Sequence, residues 1–292
     1  MEMTEISNEK TGAVYKPSNP WQAVVLKNTR LTNQNSPDDV RHILINVRNS
    51  GMEILEGQSI GVIIPGTDES GKKHRVRIYS IASPREGESS NDIIALTVKR
   101  VFYRDEVTNE LKKGLGSNYI CDLKEGDNVQ ITGPIGRTFL LPEDNTTDII
   151  MIALGTGIAP FRAFIQHMYH EKQTWQGQVL LFYGAKTGLE SLYMNDENND
   201  IGQYYTKDTF KAFKALSNTS ERKLVQHKMR DNIDLIWNIM QKDKFSLYIC
   251  GVKGVEENVA EVFQGIAMGQ GLSWDNLFQK YKTEKRWHIE VY

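Results

Sequence analysis

Three short stretches carry residue types whose chemistry becomes specific when they stand together. Gly155-Thr-Gly-Ile-Ala-Pro160 follows the apolar run Asp148–Leu154. Glycines there permit a tight turn and close backbone approach, and Pro160 suits a first helical turn, where its missing N–H is no loss. The free amides of such a helix start face a phosphate or a flat ring system. Arg77-Ile-Tyr-Ser80 reads as a strand. Alternation then puts Arg77 and Tyr79 on one face and Ser80 on the other. A guanidinium beside a phenol ring suits a diphosphate and a stacked flavin, and a hydroxyl behind them suits a ring nitrogen. Cys250 closes a third run, Phe245-Ser-Leu-Tyr-Ile-Cys250. A thiol at the carboxyl edge of a parallel sheet lies where such sheets bind ligands. Each stretch alone also fits plain packing: a βα turn, a strand with one outward Arg, a buried structural Cys.

These groups need a scaffold, and the sequence changes grammar once. From Trp21 to about Leu141, short β-branched runs alternate with turns: Val24–Leu26, Ile43–Val47, Ser59–Ile64, Ile93–Val98 and Val129–Gly136. Many short strands without a long helical run predict an antiparallel barrel. After Pro142 and the polar stretch Glu143–Thr147, the runs Asp148–Leu154, Gln178–Gly184 and Phe245–Cys250 read as strands buried on both faces. Helical stripes follow at Ile158, Phe161, Phe164, Ile165 and Met168, and at Val255, Val259, Val262, Phe263 and Ile266. This alternation predicts an α/β doubly wound parallel sheet. The expected division is a mobile tail over 1–15, a barrel domain over 16–142 and an α/β domain over 143–292. The polar segment Met194–Lys207 is expected to be a surface loop.

Composition sets the outer limits. The 292 residues are 39% hydrophobic and 25% charged, with a net charge of −2. That is an ordinary globular composition of about two domains. Balanced charge disfavours a dedicated nucleic-acid binder. The two cysteines, Cys121 and Cys250, are too few for a disulfide scaffold or a structural zinc site, so no metal is expected. The longest apolar run, Ile149–Leu154, is far short of the roughly 20 residues that span a bilayer. The opening residues carry neither an export nor a transit pattern, which points to the cytoplasm.

Taken in order, the motifs resemble the plant-type ferredoxin–NADP(+) reductase family. They are Lys16–Pro20, Leu55–Gly61, Arg77–Ser83, Val98–Arg100, Gly116–Asn118, Thr132–Gly136, Gly155–Arg162, Cys250–Gly254 and Trp287–Tyr292. The resemblance implies an FAD-binding barrel followed by an NADP-binding domain. It assigns Arg77, Tyr79, Ser80, Thr97, Val98, Lys99, Tyr103, Gly116, Ser117, Thr156 and Tyr292 to FAD. It assigns Thr156, Gly157, Ser217, Arg222, Gln226, Cys250 and Gly251 to NADP(H). Ser80, Cys250, Glu290 and Tyr292 form the implied catalytic group. In it, Glu290 relays a proton through Ser80, and the Tyr292 ring covers the flavin face that the nicotinamide must reach. Because Tyr292 ends the sequence, few contacts are expected to restrain it.

The sequence departs from the family's pattern at three positions. Gly116 stands where plant members have Cys. In the implied 2′-phosphate site, Asn218 replaces an Arg and Leu224 replaces an adenine-stacking Tyr. Arg222, Lys223 and Lys228 still supply cations, and Glu221 is the only local carboxylate that could mark an NAD site. The reading is NADP(H) with reduced selectivity over NAD(H). The basic run Lys72-Lys73-His74-Arg75, with Lys112 and Lys113, is a candidate dock for an acidic ferredoxin or flavodoxin. The expected activity is electron transfer between NADP(H) and such a carrier through FAD. Alternatives are an NAD(P)H-dependent reductase component of an oxygenase system and a non-catalytic flavoprotein subunit.

Overall fold

The computed structural model of the protein describes residues 12–170 and 174–292. The first eight strands are β1 (Trp21–Arg30), β2 (Val40–Asn46), β3 (Ser59–Val62), β4 (Arg77–Ser80), β5 (Ile93–Lys99), β6 (Phe102–Arg104), β7 (Leu111–Lys113) and β8 (Asn128–Ile135). A helix, α1 (Leu115–Asp122), precedes β8. Six of these strands form an antiparallel sheet in the order β4-β3-β8-β1-β2-β5. The bridge Ile81↔Leu96 and the Ala82 N–H to Ala95 carbonyl bond join the two outer strands and close the barrel. Its interior is the aliphatic set that the β-branched runs predict, including Val25, Ile43, Ile60, Leu96 and Ile131. The hairpin β6–β7 and helix α1 were not foreseen.

The second half runs β9 (Asp148–Leu154), α2 (Ile158–Met168), β10 (Val179–Ala185), β11 (Phe210–Leu216), α3 (Val225–Arg230), α4 (Ile233–Met240), β12 (Phe245–Gly251), α5 (Val255–Gly269), α6 (Trp274–Thr283) and β13 (Trp287–Val291). The five strands are parallel in the order β11-β10-β9-β12-β13. Apolar clusters cover both faces, which is why β9, β10 and β12 read as continuous hydrophobic runs. Leu31, Val40, Phe139 and Leu141 pack into the cluster on one of those faces, so barrel and sheet share a core. Helix α2 is therefore buried almost all round.

Two expectations need correction. Residues 1–11 of the expected mobile tail lie outside the described residues. Beyond them the chain is held: Tyr15 exchanges backbone bonds with Gly133, and its hydroxyl donates to the Ser50 carbonyl at 2.7 Å. Met194–Lys207 is not simply a surface loop. Met194 and Ile201 are buried, Asn195 donates to the Leu31 carbonyl, and Asp200 pairs with Arg162. Its apolar anchors and one matched charge outweigh the polar composition around them.

Candidate functional site

The carboxyl edge of the parallel sheet faces the barrel across a cleft of about 1220 Å³. On the barrel side, β4 presents Arg77, Tyr79 and Ser80 to it, and β5 presents Thr97, Val98 and Lys99. Tyr103 stands on the hairpin β6–β7, half exposed. Gly116 and Ser117 open α1 beside Arg77. A Cβ on Gly116 would meet Arg77 Cγ at 2.6 Å, so glycine lets the arginine cross the helix start. Ser117 Oγ accepts from Val101 N–H at 3.1 Å and donates to the Gly114 carbonyl at 3.2 Å. Its hydroxyl is thus engaged, and the first-turn amides remain for an anion. Thr97 is similarly engaged, its hydroxyl 2.6 Å from Tyr193 Oη. Tyr79 is held by the barrel core, and burial pushes its phenol up to about 12.

On the sheet side, the turn Gly155–Gly157 leads from β9 into α2. Gly155 has φ +54, and a Cβ there would meet nothing within 4 Å, so bare backbone forms the cleft wall. Gly157 is demanded by packing: a Cβ would meet the Cys250 carbonyl oxygen at 2.1 Å. Cys250 is fully buried at the end of β12, in register with Ala153 and Glu290. Burial raises its thiol pKa, and the neighbouring Glu290 raises it further, so it stays a neutral thiol rather than a thiolate. Cys250, Gly157 and Gly251 stand behind the cleft wall rather than on it.

Glu290, in β13, accepts from Ser80 Oγ at 3.4 Å and joins the two halves of the molecule. Burial raises its carboxyl above the ordinary value, while the Ser80 bond pulls the other way. Tyr292 lies on the cleft wall, hydrogen-bonded through its hydroxyl to Thr156. It is not loosely restrained. Its N–H donates to the Gly251 carbonyl at 3.1 Å, and its carbonyl accepts from Lys253 N–H at 3.2 Å. These bonds extend the β12–β13 pairing and correct the expectation of an unrestrained chain end.

The opposite end of the cleft is looser. Ser217, Lys223 and Leu224 line it, whereas Arg222 and Gln226 sit just off its wall. Arg222 is exposed with φ +26. The structure therefore does not gather the whole expected phosphate set at one point. Sequence reasoning also missed Asp38 and Lys186, both on the wall. Their pairing spans 148 positions, which no local motif signals. Of the candidate dock, Lys72, Lys73 and Arg75 are exposed, but Lys112 is neutralised by Asp105 at 2.6 Å.

The donor set suits a dinucleotide flavin: a cation and amides for diphosphate, an aromatic ring, and a hydroxyl backed by a carboxyl. The comparisons agree. Residues 31–139 match the oxidoreductase FAD-binding domain model, and residues 151–261 match the oxidoreductase NAD-binding domain model. The cyanelle ferredoxin–NADP reductase of Cyanophora paradoxa is 39% identical over 96% of this chain and 78% of its own length. The chain belongs to the ferredoxin–NADP reductase family. A family member from Spirulina sp. is 36% identical over 96% of this chain and 97% of its own. A solved mutant ferredoxin-NADP+ reductase of Plasmodium falciparum, in complex with 2′P-AMP, superimposes with a TM-score of 0.75. It is 25% identical and covers 97% of this chain and 100% of its own. Like the family, this chain is an FAD-dependent oxidoreductase. No described helix is long and apolar enough to cross a membrane.

Proposed function

We propose that this chain passes electrons between NADP(H) and a ferredoxin or flavodoxin, through FAD held in the cleft by residues of the 16–142 unit. The observation that carries the reading is the pair of contacts at the sheet edge, Ser80–Glu290 and Thr156–Tyr292. When bound, FAD accepts a hydride and releases electrons singly, which a nicotinamide does not readily do. Arg77 and the first-turn amides of α1 would hold its diphosphate, Tyr79 and Tyr292 its ring, and Lys99 and Tyr103 its adenosine end.

Single-electron release leaves a proton to be moved. Ser80 stands at the cleft wall with its hydroxyl donated to Glu290. The raised pKa of Glu290 makes that carboxylate a better proton acceptor than an ordinary Glu. Thr156 and Tyr292 hold the wall where the nicotinamide must arrive, and Cys250 packs behind it as a neutral, uncharged neighbour. Ser217 and Lys223 would take the adenosine phosphate of the coenzyme from the 143–292 unit, with Arg222 and Gln226 assisting from the rim.

The exposed loop Lys72–Arg75 supports an acidic protein partner, since long-range attraction speeds encounter with such a surface. The experiment is NADPH-driven reduction of a [2Fe–2S] ferredoxin by the FAD-loaded protein, followed at rising salt. Reduction that slows steeply with salt is expected. NADH-driven reduction with no ferredoxin or flavodoxin turnover would favour an oxygenase reductase component instead.

A further inference from the structure

Asp38 holds two ammonium groups on one oxygen. Lys99 Nζ donates to Asp38 Oδ2 at 2.7 Å, and Lys186 Nζ donates to the same atom at 2.9 Å. The two lysines come from opposite sides of the cleft. Lys99 ends β5 of the barrel, and Lys186 follows β10 of the parallel sheet. All three residues line the cleft. Burial would raise the Asp38 carboxyl, but the bonds from both lysines outweigh it and hold it below the usual carboxylate range. Two cations thus share one anion at the mouth of a large cleft. The nearby carboxylate of Glu190 is engaged by Ser36 and by the Thr187 amide. The Lys186 carbonyl accepts from Asn218 N–H at 2.7 Å, which fixes this position against the end of β11.

We propose that Lys186 is a coenzyme-binding residue for the diphosphate of the pyridine nucleotide, and that Asp38 is the internal anion this diphosphate displaces from it. The proposal rests on reading the cleft as a dinucleotide site. Lys186 belongs to the sheet side, which assigns it to the pyridine nucleotide rather than to FAD. Its ammonium reaches across to Asp38 of the barrel half, which assigns it to the diphosphate rather than to a 2′-phosphate. A diphosphate offers several charged acceptor oxygens, so it can take over from the single Asp38 oxygen that Lys186 shares with Lys99.

The test is calorimetric titration of NADP+ and of NAD+ into the FAD-loaded protein, for wild type, Lys186→Ala and Asp38→Asn. Lys186→Ala should weaken both nucleotides by the same factor, roughly three- to tenfold. That is below the usual range for a charge-assisted contact, because the Lys186 side chain is 55% exposed. FAD content should not change. Asp38→Asn should tighten both nucleotides, since an internal competitor is gone. Unchanged affinities in Lys186→Ala, a loss confined to NADP+, or loss of FAD would each overturn the assignment. Weaker binding in Asp38→Asn would overturn the displaced-anion role. A wild type that binds neither nucleotide would instead remove the dinucleotide reading, and this inference with it.

Discussion

Two polar regions lie between barrel and sheet, and they are built in opposite ways. Away from the cleft runs a closed seam. Glu56 is buried and grips Arg85 through paired contacts at 2.7 and 3.1 Å, with His167 at 3.5 Å. Arg162, also buried, meets Glu88, Asp200 and the Ala82 carbonyl, and its guanidinium lies 4.7 Å from the Tyr193 ring centroid. Burial would raise the Glu88 carboxyl, but His42 and Arg162 hold it down at about 2. Every charge named there has an opposite partner. In the cleft, by contrast, two lysines share one aspartate, and Arg77 donates to the Arg75 backbone carbonyl. Side chains satisfied within the chain hold the halves together, and those that are under-neutralised are the ones we propose to take ligands. Composition does not separate the two regions, since both draw on Arg, Lys, Asp and Glu.

The comparison breaks if a seam residue controls chemistry or a cleft residue controls stability. The largest expected effect is on the seam. Arg162→Ala takes the shared cation from part-buried Glu88, which keeps only His42, and from the more exposed Asp200, and should destabilise the fold by about 3 kcal/mol, the lower end for breaking a buried ion pair. Denaturant midpoints check this, with the NADPH to NADH preference unchanged in the protein that remains folded. Acid should act on the same place. Folding lowers the Glu88 pKa from 4.5 to about 2, so its contribution is complete above about pH 4.5 and is lost as pH falls toward 2. Lowering the pH through that window should therefore destabilise wild type more than a Glu88→Gln variant.

In the cleft, Glu290→Gln should slow flavin turnover by about a hundredfold, the lower end for a positioned proton-transfer group, because the Ser80 contact is long. It should also remove the acid–base limb expected in the wild-type pH profile, while denaturant midpoints stay close to wild type. Next in size, Tyr292→Ser removes a ring from the wall that the nicotinamide must reach. Aromatic stacking contributes about 0.5–1.5 kcal/mol, so NADP+ and NAD+ should both bind a few-fold tighter. Spectral titration of the flavin measures this, and unchanged affinities would place the ring elsewhere. The smallest effect belongs to Arg222→Ala. An exposed cation off the cleft wall should lower NADPH affinity by about 1 kcal/mol or less and leave NADH untouched.

The same contrast explains what the sequence disclosed. β9, β10 and β12 are buried on both faces, so their apolar runs mark them without any partner being known. The Gly155 turn is equally legible, since Gly157 must pass against the Cys250 carbonyl. The three-residue strands β6 and β7 and the glycine-bearing helix α1 carry too little periodicity to be read. The seam was illegible for another reason. Glu88–Arg162 spans 74 positions and Glu86–His167 spans 81, so only the packing of the two halves brings them together. Tyr292 misled in the opposite direction: its place at the end of the sequence suggests freedom, while pairing with Gly251 and Lys253 fixes its backbone. Lys186 was overlooked because a lone lysine after a strand looks like any solvated charge.

The central claim, that the under-neutralised half of the interface is a site for two dinucleotides in redox contact, is tested most directly by anaerobic stopped-flow mixing of the FAD-loaded protein with NADPH. The account predicts that the oxidised-flavin absorption near 450 nm, a general property of flavins, bleaches in a rapid phase with about one equivalent of NADPH. Heat release should then return FAD rather than FMN. A flavin that stays oxidised with both NADPH and NADH, or a protein that takes up no FAD, would contradict it.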